Sequence, residues 1–266
     1  MIEDIKKLGK EVVNYSSLNL IKKMKTKKKS DDLYVLGSGS SINEIKNWDA
    51  VGKGDSIGFN FWMLHDFVPD YYFLEAPRDD YNLGVMQKVL LDKKDFYKNV
   101  FLVVKQRARS EIIEKTLKEA GLTFFKKRFH SFGAGCKEDL LKCIIQYKRS
   151  RVNDIFIHSQ GVASVELIVV VGWLMGYKTI TLCGVDLNNT NYFYESPSFK
   201  NVEVLPRPFQ NGLIHKTNDP DMCYGRMPVA EVLKIYQEEL LVDDCKIYIE
   251  SSRSILADHF PLRSLS

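Results

Sequence analysis

Leu33-Tyr34-Val35-Leu36-Gly37-Ser38-Gly39-Ser40-Ser41 is an apolar run that ends in two glycines one residue apart and a pair of serines. The run has the length of a buried strand, the glycines allow a tight turn, and the helix-like Ile42-Asn43-Glu44-Ile45 follows. Backbone N–H groups and the positive end of a helix dipole collect at such a turn, so the expected ligand is a phosphate. The dinucleotide fingerprint Gly-x-Gly-x-x-Gly would need its third glycine at position 42, where Ile42 stands. The acidic residue that holds an NAD ribose falls about twenty residues on, and there the next strand-like run ends in Asn60. The loop therefore reads as phosphate-facing but not NAD-facing.

Outward from this stretch, strand-like apolar runs occupy 33–36, 56–59, 71–74, 100–104, 154–157, 179–182 and 246–249. Helical periodicity covers 85–91, 110–120, 138–147, 162–175 and 229–241. Strands alternating with helices predict an α/β fold, a Rossmann-like and mostly parallel sheet with helices on both faces. In such open sheets ligands gather outside the carboxyl ends of the strands. Those ends read Gly37 to Ser41, Asn60, Glu75-Ala76-Pro77, His158 to Gly161 and Gly184-Val185-Asp186. Residues 188–227 break the rhythm, being rich in Asn, Tyr, Pro and Phe without helical period. A loop of that length in a compact domain is usually functional, and it is expected to be a flexible lid. The predicted organisation is a basic amphipathic arm over 1–30, a nucleotide-binding domain over 31–187 and the lid over 188–227. A C-terminal helix, strand and tail over 228–266 complete the main domain.

The chain has 266 residues and a formal net charge of +4, but the charge is unevenly placed. Residues 1–30 carry nine lysines against three acidic residues, a net of +6, which leaves the remainder at −2. Ile2, Ile5, Leu8 and Val12 fall at helical spacing, and Lys22 to Lys29 close the segment with a polybasic end. Such a helix suits an anionic membrane surface, although a solvated arm has the same composition. The body has no basic face with interleaved aromatics, so nucleic acid is not an expected partner. The longest apolar stretch, 162–175, is interrupted by Glu166 and is too short to span a bilayer, so a core helix is expected there. The N-terminus has no apolar signal region, and the five cysteines have no Cys-x-x-Cys spacing. A reducing cytoplasm, peripheral contact with the inner membrane face and no structural zinc are the expectations.

Three blocks carry a resemblance to a known family. The first is Val35 to Ile45, with Gly37, Gly39 and Ser41 matching and Ser38 where asparagine is usual; Asn60 matches a nucleotide-contacting asparagine. The second runs from Ser159-Gln160-Gly161 through Gly176-Tyr177-Lys178 to Gly184-Val185-Asp186, and the third comprises Pro197 to Asn201 and Ile214-His215-Lys216-Thr217-Asn218-Asp219. A weaker match lies between Lys246 and Ala257. Together they resemble the bacterial CMP-sialic acid-dependent sialyltransferases of the Cst type, glycosyltransferase family 42. The resemblance implies a single-domain, GT-A-like fold and an inverting, metal-independent transfer from a CMP donor to a cell-surface glycan such as lipooligosaccharide. It implies no cofactor beyond the donor, and a homo-oligomer is compatible with it. It places His215 on the catalytic histidine, and Tyr192 or Tyr194 on a tyrosine that binds the leaving phosphate. Asn188 stands where that family has its first such tyrosine, and Ile157 and His158 occupy the ground of an arginine. These departures leave sialic acid, Kdo and other nonulosonates open as the sugar.

Transfer from a CMP-sugar needs a base for the acceptor hydroxyl and hydrogen bonds for the departing phosphate. A histidine titrates near working pH, which makes His215 the candidate base. Tyr192 and Tyr194 are the candidate phosphate donors. Gly37, Ser38, Gly39, Ser41, Asn60, Ser159, Gln160, Gly161, Gly184, Asp186 and Asn188 are the candidate nucleotide and sugar contacts. Asp186 serves equally well to cap a loop. Asp219-Pro220-Asp221 imitates a metal-binding Asp-x-Asp, but Pro220 favours a turn. Two other classes stay open. One is a non-catalytic nucleotide-binding protein. The other is a serine hydrolase built on Ser159, although a nucleophile elbow would need glycine where Ile157 stands.

Overall fold

The computed structural model describes residues 17–131, 134–149, 157–158, 163–188, 191–199, 214–221 and 225–265. Seven strands form one sheet: β1 Asp32–Leu36, β2 Asp55–Phe59, β3 Tyr71–Leu74, β4 Phe101–Lys105, β5 Phe124–Lys127, β8 Thr179–Cys183 and β9 Lys246–Ile249. A separate pair joins β6 His130–Ser131 to β7 Ile157–His158. The main sheet runs in the order β5-β4-β3-β2-β1-β8-β9, and every pairing is parallel. The chain winds outward from β1 to β5 on one side, then returns to place β8 and β9 on the other. The switch point lies between β1 and β8, where an open parallel sheet splays its loops apart and leaves a crevice.

Side chains alternate across the strands, as the pleat requires. Leu33, Val35, Ile57, Tyr71 and Phe73 face one core. Tyr34, Leu36, Tyr72 and Leu74 face the other. The first core is covered by α1 Ser17–Lys25, α6 Lys137–Arg149, α7 Ser164–Met175 and α8 Val229–Ile235, and the second by α2 Trp48–Lys53, α3 Asp80–Asp92, α4 Lys94–Tyr97 and α5 Ser110–Glu119. The stretch expected as a core helix is α7, whose Leu167 to Val171 are at most 1% exposed. It lies close on β1 because Gly172 has no Cβ; one built there would sit 2.7 Å from Leu33 Cδ2.

Four local expectations need correction. The helix expected after the glycine loop is a single 3-10 turn, Ser40–Glu44. The helix expected over 229–241 divides at Tyr236 into α8 and a wider π-type turn, Tyr236–Leu241. Strand β5 and helices α2 and α4 had no counterpart in the periodicity. Of the basic leading segment, residues 1–16 lie outside the described residues, whereas α1 is docked on the body. Leu20, Ile21 and Met24 of α1 are buried, and Met24 O accepts a bond from Tyr71 Oη at 3.0 Å. The lysines that follow are tied down: Lys27 Nζ donates to Asn99 O at 2.8 Å, and Lys29 Nζ pairs with Asp70 at 2.8 Å. Among the described residues, no helix is long and apolar enough to cross a membrane.

Candidate functional site

The glycine loop sits on the switch point, and its close approach is to protein. Gly37 N donates to Cys183 O and Gly39 N to Gly184 O, both at 2.8 Å. A Cβ on Gly37 would lie 2.5 Å from Gly184 O, and one on Gly39 would lie 2.5 Å from Asp186 Oδ2. Gly39 has φ −66°, which any residue adopts, so it is glycine for space alone. Gly184 needs glycine twice, for its φ of +63° and because a Cβ would meet Ile42 Cγ1 at 2.4 Å.

Asp186, 5% exposed, braces this junction. Its carboxylate accepts from Ser41 Oγ at 2.6 Å, Ser41 N at 3.1 Å and Ser40 Oγ at 3.5 Å. This corrects the expectation of a phosphate cradle. The N–H groups of Gly37, Gly39 and Ser41 are held by protein acceptors, and a carboxylate already occupies the start of the 3-10 turn. Asp186 thus takes the loop-capping role. Asn188 departs similarly, because its side-chain amide donates to Arg253 O. Ser38 differs from its neighbours: its Oγ is buried and has no hydrogen-bond partner among the described residues.

Of the lid stretch, residues 191–199 and 214–221 are described. The first is a strap laid across the glycine loop. Phe193 N donates to Ser38 O at 3.0 Å, Asn43 Nδ2 donates to Phe193 O at 3.2 Å, and Tyr192 bridges Gly39. Phe193 anchors the strap, fully buried against Trp62, His65 and Phe199. His65 belongs to that packing: burial pushes its pKa down to about 4, and its Nδ1 accepts from Phe67 N at 3.0 Å. The anchor brings Tyr192 and Tyr194 together beside the loop, their rings stacked at 5.1 Å and 15°.

The second piece carries His215. Its N–H donates to Leu187 O at 2.9 Å, which fastens it one residue beyond Asp186. Leu187 is left-handed at φ 58°, an unfavourable conformation for leucine that aims its carbonyl at this bond. His215 Nδ1 lies 2.8 Å from Thr217 Oγ1. The turn is pinned to α8, since Val229 N donates to Thr217 O at 3.1 Å and Ala230 N to Asn218 Oδ1 at 2.9 Å. Asp219 and Asp221 close a local turn, with Asp221 N donating to Asp219 Oδ1 at 3.0 Å. Among the described residues no three His, Cys, Asp or Glu side chains gather as a metal-binding group.

Asn60, at the end of β2, is left-handed at φ 54°, a conformation asparagine tolerates. Its carbonyl accepts from Tyr72 Oη at 2.6 Å. Further along the rim, β3 ends at Glu75 and β4 at Lys105. Lys105, 3% exposed, pairs with Glu75 and donates to Ser164 Oγ at 3.0 Å at the start of α7. Arg107 reaches the other oxygen of Glu75 at 2.8 Å. Two cations against one carboxylate leave this corner with a net positive charge. Burial pulls the Lys105 pKa down, against the Glu75 carboxylate that holds the proton on. Lys105 was not among the sequence candidates. A lysine ending an apolar strand-like run was the signal for it. Glu250, 4% exposed at the end of β9, was missed as well. Ser159, Gln160 and Gly161 lie outside the described residues.

No protein-family model matches the chain, and no curated protein does. Among solved structures, it is similar to the monofunctional alpha-2,3-sialyltransferase Cst-I from Campylobacter jejuni, at 18% identity over 88% of this chain and 80% of that one, with a TM-score of 0.49. It is also similar to the sialyltransferase CST-II in complex with a trisaccharide acceptor and CMP, at 16% identity over 87% and 85%, with a TM-score of 0.47. A third is CstII from Campylobacter jejuni in complex with cytidine-5'-monophosphate, at 14% identity over 88% and 85%, with a TM-score of 0.46. These values are too low to transfer a substrate or a residue's role.

Proposed function

We propose that this chain is an inverting glycosyltransferase that moves an acidic keto-sugar from a CMP donor to a glycan hydroxyl. Sialic acid is the favoured sugar, and Kdo and other nonulosonates carry the same carboxylate. The observation that carries the proposal is the convergence at the switch point. His215 is fastened to the end of β8 through Leu187, the glycine loop is fastened to the same strand end through Asp186, and the strap holds Tyr192 and Tyr194 against that loop. A base and two phenolic donors therefore border one crevice.

In this scheme the nucleoside lies over β1 and β2, near Ser38 and Asn60. Strands are spaced at about 4.8 Å, so the rim from β1 to β4 measures about 14 Å. That is room for a sugar beside the nucleotide, with its carboxylate toward the positive corner of Lys105 and Arg107. The acceptor oxygen attacks the anomeric carbon as the carbon–oxygen bond to the phosphate breaks. The acceptor proton passes to His215 Nε2, and CMP leaves with the bonding pair. Tyr192 and Tyr194 donate to the phosphate as its charge develops. With phenols in that role the transfer is expected to need no metal. Docking on an anionic membrane through residues 1–30 would suit a lipid-borne acceptor such as lipooligosaccharide at the inner membrane face.

The test is His215→Ala, with CMP release from a CMP-acidic sugar measured in the presence of a glycan acceptor. Turnover is expected to fall by about 100-fold or more, as for loss of a general base, while CMP binding is retained. Undiminished turnover would remove the base assignment.

A further inference from the structure

We propose that Thr217 is a positioning residue that holds His215 in the tautomer able to act as a base. The inference rests on the transferase reading for its consequence, but its structural content stands on the hydrogen bonds at one ring nitrogen. Nδ1 of His215 faces two groups of Thr217, the hydroxyl oxygen at 2.8 Å and the backbone N at 3.3 Å. They make opposite demands. A backbone N–H only donates, so it favours a bare Nδ1 with the proton on Nε2. A hydroxyl either donates or accepts. When it accepts from Nδ1–H, the lone pair moves to Nε2, where an acceptor proton is taken up. The partner of one ring nitrogen thus sets what the other does. Of the two groups at Nδ1, only the hydroxyl supports a base.

The hydroxyl is also held in place. Thr217 is 7% exposed, and its carbonyl accepts from Val229 N at 3.1 Å. Its neighbour Asn218 is bound at both ends, by its N–H to His215 O at 2.7 Å and by its side-chain oxygen to Ala230 N. The ring and its orienting hydroxyl therefore share one turn, fixed to β8 on one side and α8 on the other. As the acceptor's proton arrives at Nε2 the ring becomes an imidazolium, and its Nδ1–H bond to Thr217 Oγ1 then becomes a charge-assisted one. No bond to Thr217 is made or broken, and the proton later leaves to solvent from Nε2.

Thr217→Val keeps the shape, removes the acceptor and leaves the N–H facing Nδ1. Its kcat is expected to fall about 10- to 100-fold, with donor KM and CMP affinity within about twofold of the parent. Thr217→Ser is expected to restore most of the rate. Nitrogen-15 NMR of histidine-labelled protein, with the His215 signals assigned by their loss in His215→Ala, reads the tautomer without any turnover. Nδ1–H is expected in the parent and in Thr217→Ser at neutral pH, and Nε2–H in Thr217→Val. A parent protein in the Nε2–H form, or a valine variant with the parental tautomer, kcat and pH profile, overturns the proposal. An inactive parent that still shows the tautomer change would overturn the transferase reading and leave the role of Thr217 intact.

Discussion

Replacing Glu250 by Gln should raise the stability of the fold at pH 8 and leave it nearly unchanged at pH 5. Glu250 ends β9, its N–H donating to Leu182 O at 3.0 Å, and its Oε2 has no hydrogen-bond partner among the described residues. Burial first, then the carboxylates of Asp186 and Glu44, push its pKa up to about 7. Of the other charged and titratable groups near it, Arg253 is tied to Glu44 by an ion pair, and the buried Cys183 thiol is itself pushed upward by burial and by Glu250. An unfolded glutamate titrates near 4.3. Between that value and about 7 the folded chain keeps a proton the unfolded chain has released, so stability falls as pH rises through this window. At about 1.4 kcal/mol per pH unit the whole loss is on the order of 3 kcal/mol. Glutamine cannot ionise and avoids it. Urea unfolding of both proteins at pH 5, 6, 7 and 8 would measure the difference, which should grow across the series and shrink when Asp186→Asn is combined with Glu250→Gln. An equal difference at pH 5 and pH 8 would refute a protonated buried Glu250.

Gly39→Ala should cost about 1–3 kcal/mol by overpacking, because the new methyl meets Asp186 Oδ2; thermal unfolding with CMP titration would show lower stability and weaker CMP binding together. Lys105→Met should destabilise by about 3–5 kcal/mol, as expected when one partner of a buried ion pair is removed. The double variant Lys105→Met with Glu75→Gln should recover much of that stability yet still bind a CMP-acidic sugar no better than CMP alone in calorimetry. If the double variant keeps the parental preference for the acidic sugar, the positive corner is structural only.

The sheet was legible because β1, β2, β3, β4, β8 and β9 are apolar runs buried on both faces, which is what a covered parallel sheet demands. Strand β5 escaped because it lies at the sheet edge and its second half is Lys126-Lys127, only partly buried. Helix α2 is six residues long with Gly52 inside it, too short to show a period. The glycine loop was legible as a close approach, but not what approaches it. Gly184 and Asp186 lie about 145 positions further along, and no local pattern carries a pairing of that range. Lys105 and Glu75 likewise meet only because β3 and β4 pair with Leu74 opposite Val104. His215 was legible as a residue, whereas its fastening to Leu187 and Thr217 emerged only with the fold.

Thermal unfolding in the presence of CMP, UDP, GDP and NAD tests the nucleotide assignment most directly. CMP alone should raise the midpoint, by a shift equivalent to about 2.7 kcal/mol at a hundred times its Kd. Stabilisation by UDP, GDP or NAD in preference to CMP would contradict a CMP-sugar site at the switch point between β1 and β8.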